Sequence, residues 1–476
     1  MADANPYRAL PSVDALLETE AAGALMPEFG RAQVRALLQG ILDAWRERIR
    51  TEGLDGPAVE AELQAGAILR DLAGRAAVER RAGLRPVINV SGVVLNTGLG
   101  RAPVHPEVAE VMARAAAGYC TLEVDRSSGR RNQRDARAGA LVAQLVGAEA
   151  AICVNNCAAA VLLTLGALAG GGRGVALSRG ELVEIGGSFR MPDVMRRAGA
   201  RLVEVGTTNR TRVGDYARAL GDPRLDVSLL LKVHTSNYRV VGFTEEASLE
   251  ELVELGRERD VPVAYDLGSG RFEAESLTEL GALDDELPVA RAMQSGVDLL
   301  MFSGDKLFGG PQAGLIAGSA DAIRRLRADP VYRAVRLDKV ALAGLERTLE
   351  LYHASRGDEL PTRAMLTRPA SDLAPTAARI AAAIGRLEGF EAEVVQSASQ
   401  PGSGSAPHVF LDTPVVRVVA LGRSVDALAR DLREGTPSVF ARIEDDALMV
   451  DPRTLLGDEE RGLVEAFETL AGQSAG

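Results

Sequence analysis

Lysine is nearly absent. Lys232, Lys306 and Lys339 are the only three among 54 Lys and Arg residues. Positions that need nothing beyond positive charge carry Arg, which keeps its proton and cannot act as an amine nucleophile. Cysteine is scarce too: Cys120, Cys153 and Cys157 make neither a disulfide framework nor a zinc spacing, which fits a reducing cytoplasm. The four histidines, His105, His234, His353 and His408, are dispersed and form no metal pattern. No apolar run reaches membrane-spanning length, and no basic segment leads into an apolar stretch at the N-terminus, so neither a span nor a signal peptide is expected. A basic excess is missing as well. The net charge of −12 argues against a surface coated for nonspecific nucleic-acid binding, though not against a local basic patch.

What is present describes a globular protein of two or three domains: 476 residues, 46% hydrophobic and 25% charged. Residues 1–85 read as helical. Val34, Leu37, Leu38, Ile41, Leu42, Trp45 and Ile49 form one apolar stripe at helical spacing. Pro57 can open the next helix. Arg46, Arg48 and Arg50 make one basic cluster and Arg80, Arg81 and Arg85 another; each is either a solvated helix face or a binding patch.

From Pro86 the texture changes to short apolar runs alternating with helical patterns, among them Ala151–Val154, Val227–Val233, Val261–Tyr265, Val297–Phe302 and Gly314–Ala317. This alternation predicts βαβ units and a mostly parallel sheet, with ligands beyond the carboxyl ends of its strands. A large domain over 86–345 and a smaller α/β domain over 346–476 are expected. Within the latter, Gln396–Pro407 reads as a loop and Val409–Leu421 and Ala447–Val450 as strands.

Lys306 sits between an apolar run and glycines, in Ser303-Gly304-Asp305-Lys306-Leu307-Phe308-Gly309-Gly310. That context suits a Schiff-base lysine, and equally a surface lysine after a strand. Asp266 ends another strand, in Tyr265-Asp266-Leu267-Gly268. An acid there can hold a pyridine nitrogen positive, or cap a turn. Together the two are what pyridoxal phosphate requires: a lysine to bind it and an acid that keeps its ring an electron sink. Asn155, Asn156 and Cys157, at the start of a helical stretch, and the hydroxyl of Ser303 offer a seat for the phosphate. Arg101, closing the turn from Asn96, is a candidate anion contact. Arg333 and Arg336, if helical, would share one face and could grip an oxyanion.

Leu10–Leu17, Asn89–Pro103, Asn155–Ala159, Tyr265–Gly270, Ser303–Gly310 and Tyr332–Lys339 together resemble bacterial selenocysteine synthase, a family of L-seryl-tRNA(Sec) selenium transferases. The resemblance runs over nearly the whole chain. It implies a fold-type-I pyridoxal phosphate enzyme, a helical tRNA-binding domain at the N-terminus and a ring-shaped homo-oligomer, a decamer in the family. It implies Lys306 as the cofactor lysine, Asp305 as the acid beside it, Asp266 as the ring-nitrogen acid, and Arg101, Arg333 and Arg336 as the grip on selenophosphate. Cys157 stands where many relatives are expected to carry a third Asn. The implied reaction removes water from the seryl group and adds selenium from selenophosphate. The rival is a related lyase acting on a small phosphorylated amino acid or amino sugar, which would have no use for the N-terminal helices.

Overall fold

The computed structural model describes residues 5–64, 66–187, 189–272, 287–402, 405–406 and 409–474. His408 and residues 403, 404 and 407 of the expected loop therefore lie outside it. The chain forms two compact units, Met1–Pro86 and Val87–Gly476.

The first unit is helical: Val13–Leu17, Glu20–Glu52, Gly56–Gln64 and Ala67–Arg81. Ser12 and Thr19 cap the first two helices, accepting from the amides of Ala15 and Ala22. The long helix is kinked at Gly30, whose φ of 76° leaves the helical region. Six members of the expected stripe, Val34, Leu38, Ile41, Leu42, Trp45 and Ile49, are buried, and Leu37 packs against them. The polar face neutralises itself. Arg48 pairs with Glu62 and Glu52, Arg50 with Glu47, Arg46 with Asp43 and Arg80 with Glu28. The side chain of Arg81 lies outside the described part.

The second unit holds fourteen described strands. They are β1 (Val87–Val90), β2 (Ala150–Val154), β3 (Gly174–Ser178), the short pair β4 (Glu184–Ile185) and β5 (Phe189–Arg190), β6 (Arg201–Val205) and β7 (Val227–Val233). Then come β8 (Val263–Gly268), β9 (Leu299–Ser303), β10 (Gly314–Gly318), β11 (Phe390–Ser399), β12 (Leu411–Ala420), β13 (Ser438–Glu444) and β14 (Ala447–Val450). The larger sheet runs β2-β10-β9-β8-β7-β3-β6. Its pairs are parallel except that β10 opposes both β2 and β9. Its apolar runs are continuous because both faces are covered. In β9, Leu300 and Phe302 enter one core while Leu299 and Met301 enter the other.

The smaller sheet runs β1-β13-β14-β12-β11. Two expectations change here. The boundary at residue 86 assigned β1 to the large domain, but β1 pairs in parallel with β13. The supposed loop begins later than expected, because Gln396–Ser399 belongs to β11 and pairs with Leu411–Pro414 of β12. Its small hydroxyls are held by charged groups, Ser399 donating to the buried Asp451 and Ser397 accepting from the half-buried Arg442. Among the described residues no helix is long and apolar enough to cross a membrane.

Candidate active site

β8 and β9 are adjacent and parallel, so their carboxyl ends bring Asp266 and the turn after Ser303 into one crevice. That turn is pinned from two sides. Gly304 N donates to Ala313 O at 2.8 Å, and Leu307 N to Ser269 O at 3.0 Å. Gly270, at φ 73°, makes the approach possible, since a Cβ there would stand 2.7 Å from Ser303 O. Beneath it, Phe308 stacks on Tyr352 at 5.0 Å, and the Tyr352 hydroxyl donates to Phe308 O. A rigid turn thus presents Lys306, which is half-buried.

Asp305 is buried, and both its oxygens are engaged. Ser303 Oγ donates to Oδ1 at 3.0 Å and Arg101 Nη1 to Oδ2 at 2.8 Å. Arg101 reaches it from a left-handed backbone position, φ 64°, at the end of the turn that Asn96 organises.

Asp266 is buried, and burial raises its pKa from the usual range to about 6. A hydrogen bond from the Cys157 thiol and the charges of Lys306 and His234 act in the opposite direction. The thiol lies 3.5 Å from Asp266 Oδ1, and His234 N donates to Asp266 O at 2.9 Å. The crevice therefore holds a desolvated acid within the field of an amine.

Of the four side chains expected to seat a phosphate, Asn155, Cys157 and Ser303 direct their donors elsewhere, while Asn156 uses only its carbonyl oxygen. Asn156 Oδ1 caps its own helix, Cys157–Ala169, by accepting from Ala159 N at 2.8 Å. Asn155, with its amide nitrogen turned toward the 335–336 segment, donates to Val335 O at 2.6 Å and Arg336 O at 2.9 Å. Cys157 donates to Asp266 and Ser303 to Asp305. What fits a phosphate is the backbone, because the first amides of a helix, here those of Cys157 and Ala158, have no acceptor within it.

Arg333 and Arg336 do not share a helical face. The helix Pro330–Ala334 ends between them, and Arg336 instead forms an antiparallel bridge with Val154. Arg333 is exposed. Arg336 lines a pocket of about 220 Å³ with Glu123, Arg131, Arg134, Arg327 and Tyr332. Its Nη1 lies 3.3 Å from Glu123, and its buried Nε has no hydrogen-bond partner. Hydrogen bonds from Arg134 and Arg131 hold the Glu123 carboxyl below the usual carboxylate range.

The other two lysines are structural. Lys232 Nζ is buried against Glu181 at 3.2 Å and Ala247 O at 2.9 Å, and Lys339 Nζ donates to Gly118 O. Sequence reasoning gave no role to His234 or Glu123. His234 had a signal available, since it follows the apolar run of β7 as Asp266 ends that of β8. Glu123 had none, because its partner Arg336 lies 213 residues further along the chain.

Comparison with known proteins bears on this geometry. A solved D-glucosaminate-6-phosphate ammonia-lyase superposes with a TM-score of 0.57 over 84% of this chain and 99% of that one. At 23% identity the likeness shows the fold, the fold-type-I arrangement implied by the resemblance. L-seryl-tRNA(Sec) selenium transferase of Hyphomonas neptunium is 43% identical over 98% of this chain and 99% of its own length. That of Nitratidesulfovibrio vulgaris is 45% identical over 94% and 95%. Residues 7–46 match the family description Selenocysteine synthase N terminal. With residues 87–456 matching L-seryl-tRNA selenium transferase, the sheet that carries Lys306 and Asp266 is that family's own, and the chain belongs to it.

Proposed function

We propose that this chain converts seryl-tRNA(Sec) to selenocysteinyl-tRNA(Sec), taking selenium from selenophosphate and using pyridoxal phosphate held by Lys306. The observation that carries this reading is the crevice itself. A buried acid, Asp266, has its pKa raised by desolvation, the charge of Lys306 acts on it, and the first amides of a helix lie at Cys157 and Ala158. When bound, pyridoxal phosphate supplies an electron sink that permits loss of the Cα proton and then of the β-hydroxyl from the seryl group.

The chain's own residues do the rest. Asp266 holds the ring-nitrogen proton. The amine of Lys306 would hold the cofactor and carry the Cα proton. Asp305, oriented by Ser303 and Arg101, supports proton delivery to the departing hydroxyl. Arg101, Arg333 and Arg336 bind the oxyanion of the selenium donor, a task that suits planar guanidinium groups. The N-terminal helices meet the tRNA, and the larger sheet carries the chemistry. The protein works in the cytoplasm as a homo-oligomer, a decamer by resemblance. Likeness to full-length transferases at both ends of the chain favours this reading over a lyase of small phosphorylated amino sugars.

The test is conversion of seryl-tRNA(Sec) with selenophosphate, beside seryl-tRNA(Ser) as the control. Product is expected from the first alone. Lys306→Ala is expected to abolish both product and the visible absorbance of bound cofactor. Turnover by Lys306→Ala would sink the assignment.

A further inference from the structure

The side chain of Cys157 is directed away from the phosphate seat that its backbone amide helps to form. Cys157 is the first residue of its helix, and its Sγ meets Asp266 Oδ1 at 3.5 Å. The meeting is built from several sides. Asn156 caps the helix and fixes where its first turn starts. Gly314 of β10 lets that turn settle against the sheet, since a Cβ there would stand 2.1 Å from Asn156 O. His234 N fixes the backbone of Asp266 from β7. Burial and the charge of Asp266 push the Cys157 thiol well above its usual range, so it stays protonated. A protonated thiol is a hydrogen-bond donor and a poor nucleophile.

We propose that Cys157 is a positioning residue for Asp266: its S–H holds one carboxylate oxygen and leaves the other for the ring nitrogen of the cofactor. This rests on the reading of Asp266 as the ring-nitrogen acid. Losing the donor leaves the carboxylate free to rotate and less favourably charged in a desolvated place. Cofactor affinity then falls without any loss of the lysine that bonds it.

The experiment titrates cofactor-free protein with pyridoxal phosphate, follows the visible absorbance, and records the melting temperature of each cofactor-free variant. Cys157→Ala is expected to raise Kd about three- to tenfold, the size of one hydrogen bond, with melting little changed. Cys157→Ser, which keeps a donor, is expected to stay near the wild-type Kd. Equal weakening by both variants would overturn the proposal, since packing rather than donation would then matter. An unchanged Kd in Cys157→Ala, beside a large rise in Asp266→Asn, would overturn it while leaving Asp266 its role. An unchanged Kd in Asp266→Asn would remove that role and the proposal together.

Discussion

Asp266 carries a cost in stability that depends on pH. Its folded pKa of about 6 stands above the unfolded value of 3.8, so the fold binds its proton more tightly than the unfolded chain does. In the cofactor-free protein its contribution therefore falls as pH rises through that window and is lost above it. The loss is on the order of 2–3 kcal/mol, from the free energy of each pKa step. Asp266→Asn cannot ionise. The cofactor-free variant is expected to melt higher than wild type at pH 8 and to match it near pH 4. Equal melting at both values would refute the account. With cofactor bound, the positive ring nitrogen supplies the missing charge and the advantage of the variant disappears.

At the scale of elements, the site depends on close contacts between strand ends and helix starts. Gly314 is the tightest of these, and Gly314→Ala would force the Asn155–Cys157 turn away from β10. We expect a cost of about 1–3 kcal/mol, as for other overpacked positions, seen as a lower melting temperature together with weaker cofactor retention. A variant that melts lower yet binds cofactor normally would separate the turn from the site. The strands that carry Asp266 and Lys306 were legible because continuous apolar runs ending in polar turns have few other readings. β1 was not, because its partner β13 lies some 350 residues away and no local pattern encodes that pairing. Side-chain roles were less legible still. That the carbonyl oxygen of Asn156 caps its helix, for example, shows only in the position of Ala159 N. Arg333 and Arg336 have helical spacing, but the bridge from Arg336 to Val154 ends the helix first.

For the whole molecule, the question is how an acidic chain meets a polyanion. The N-terminal unit does not resolve it by charge alone. Residues 1–86 hold eleven arginines and thirteen Asp and Glu, and Arg46, Arg48, Arg50 and Arg80 are each paired with a carboxylate. Exposed pairs of this kind contribute little to stability, so their partners can be exchanged at small cost. Phosphates can take over an arginine from Glu or Asp, and a wrongly shaped RNA gains little from an electroneutral face. Binding through this unit should therefore select by shape and depend only moderately on salt, unlike a basic coat. Removal of residues 1–80 is expected to abolish binding of seryl-tRNA(Sec) in a filter assay while the visible absorbance of bound cofactor persists, because the crevice is built within Val87–Gly476. Retained tRNA affinity in the shortened chain would move recognition to the second unit. Loss of the absorbance along with the tRNA would mean that the N-terminal unit supports the crevice as well.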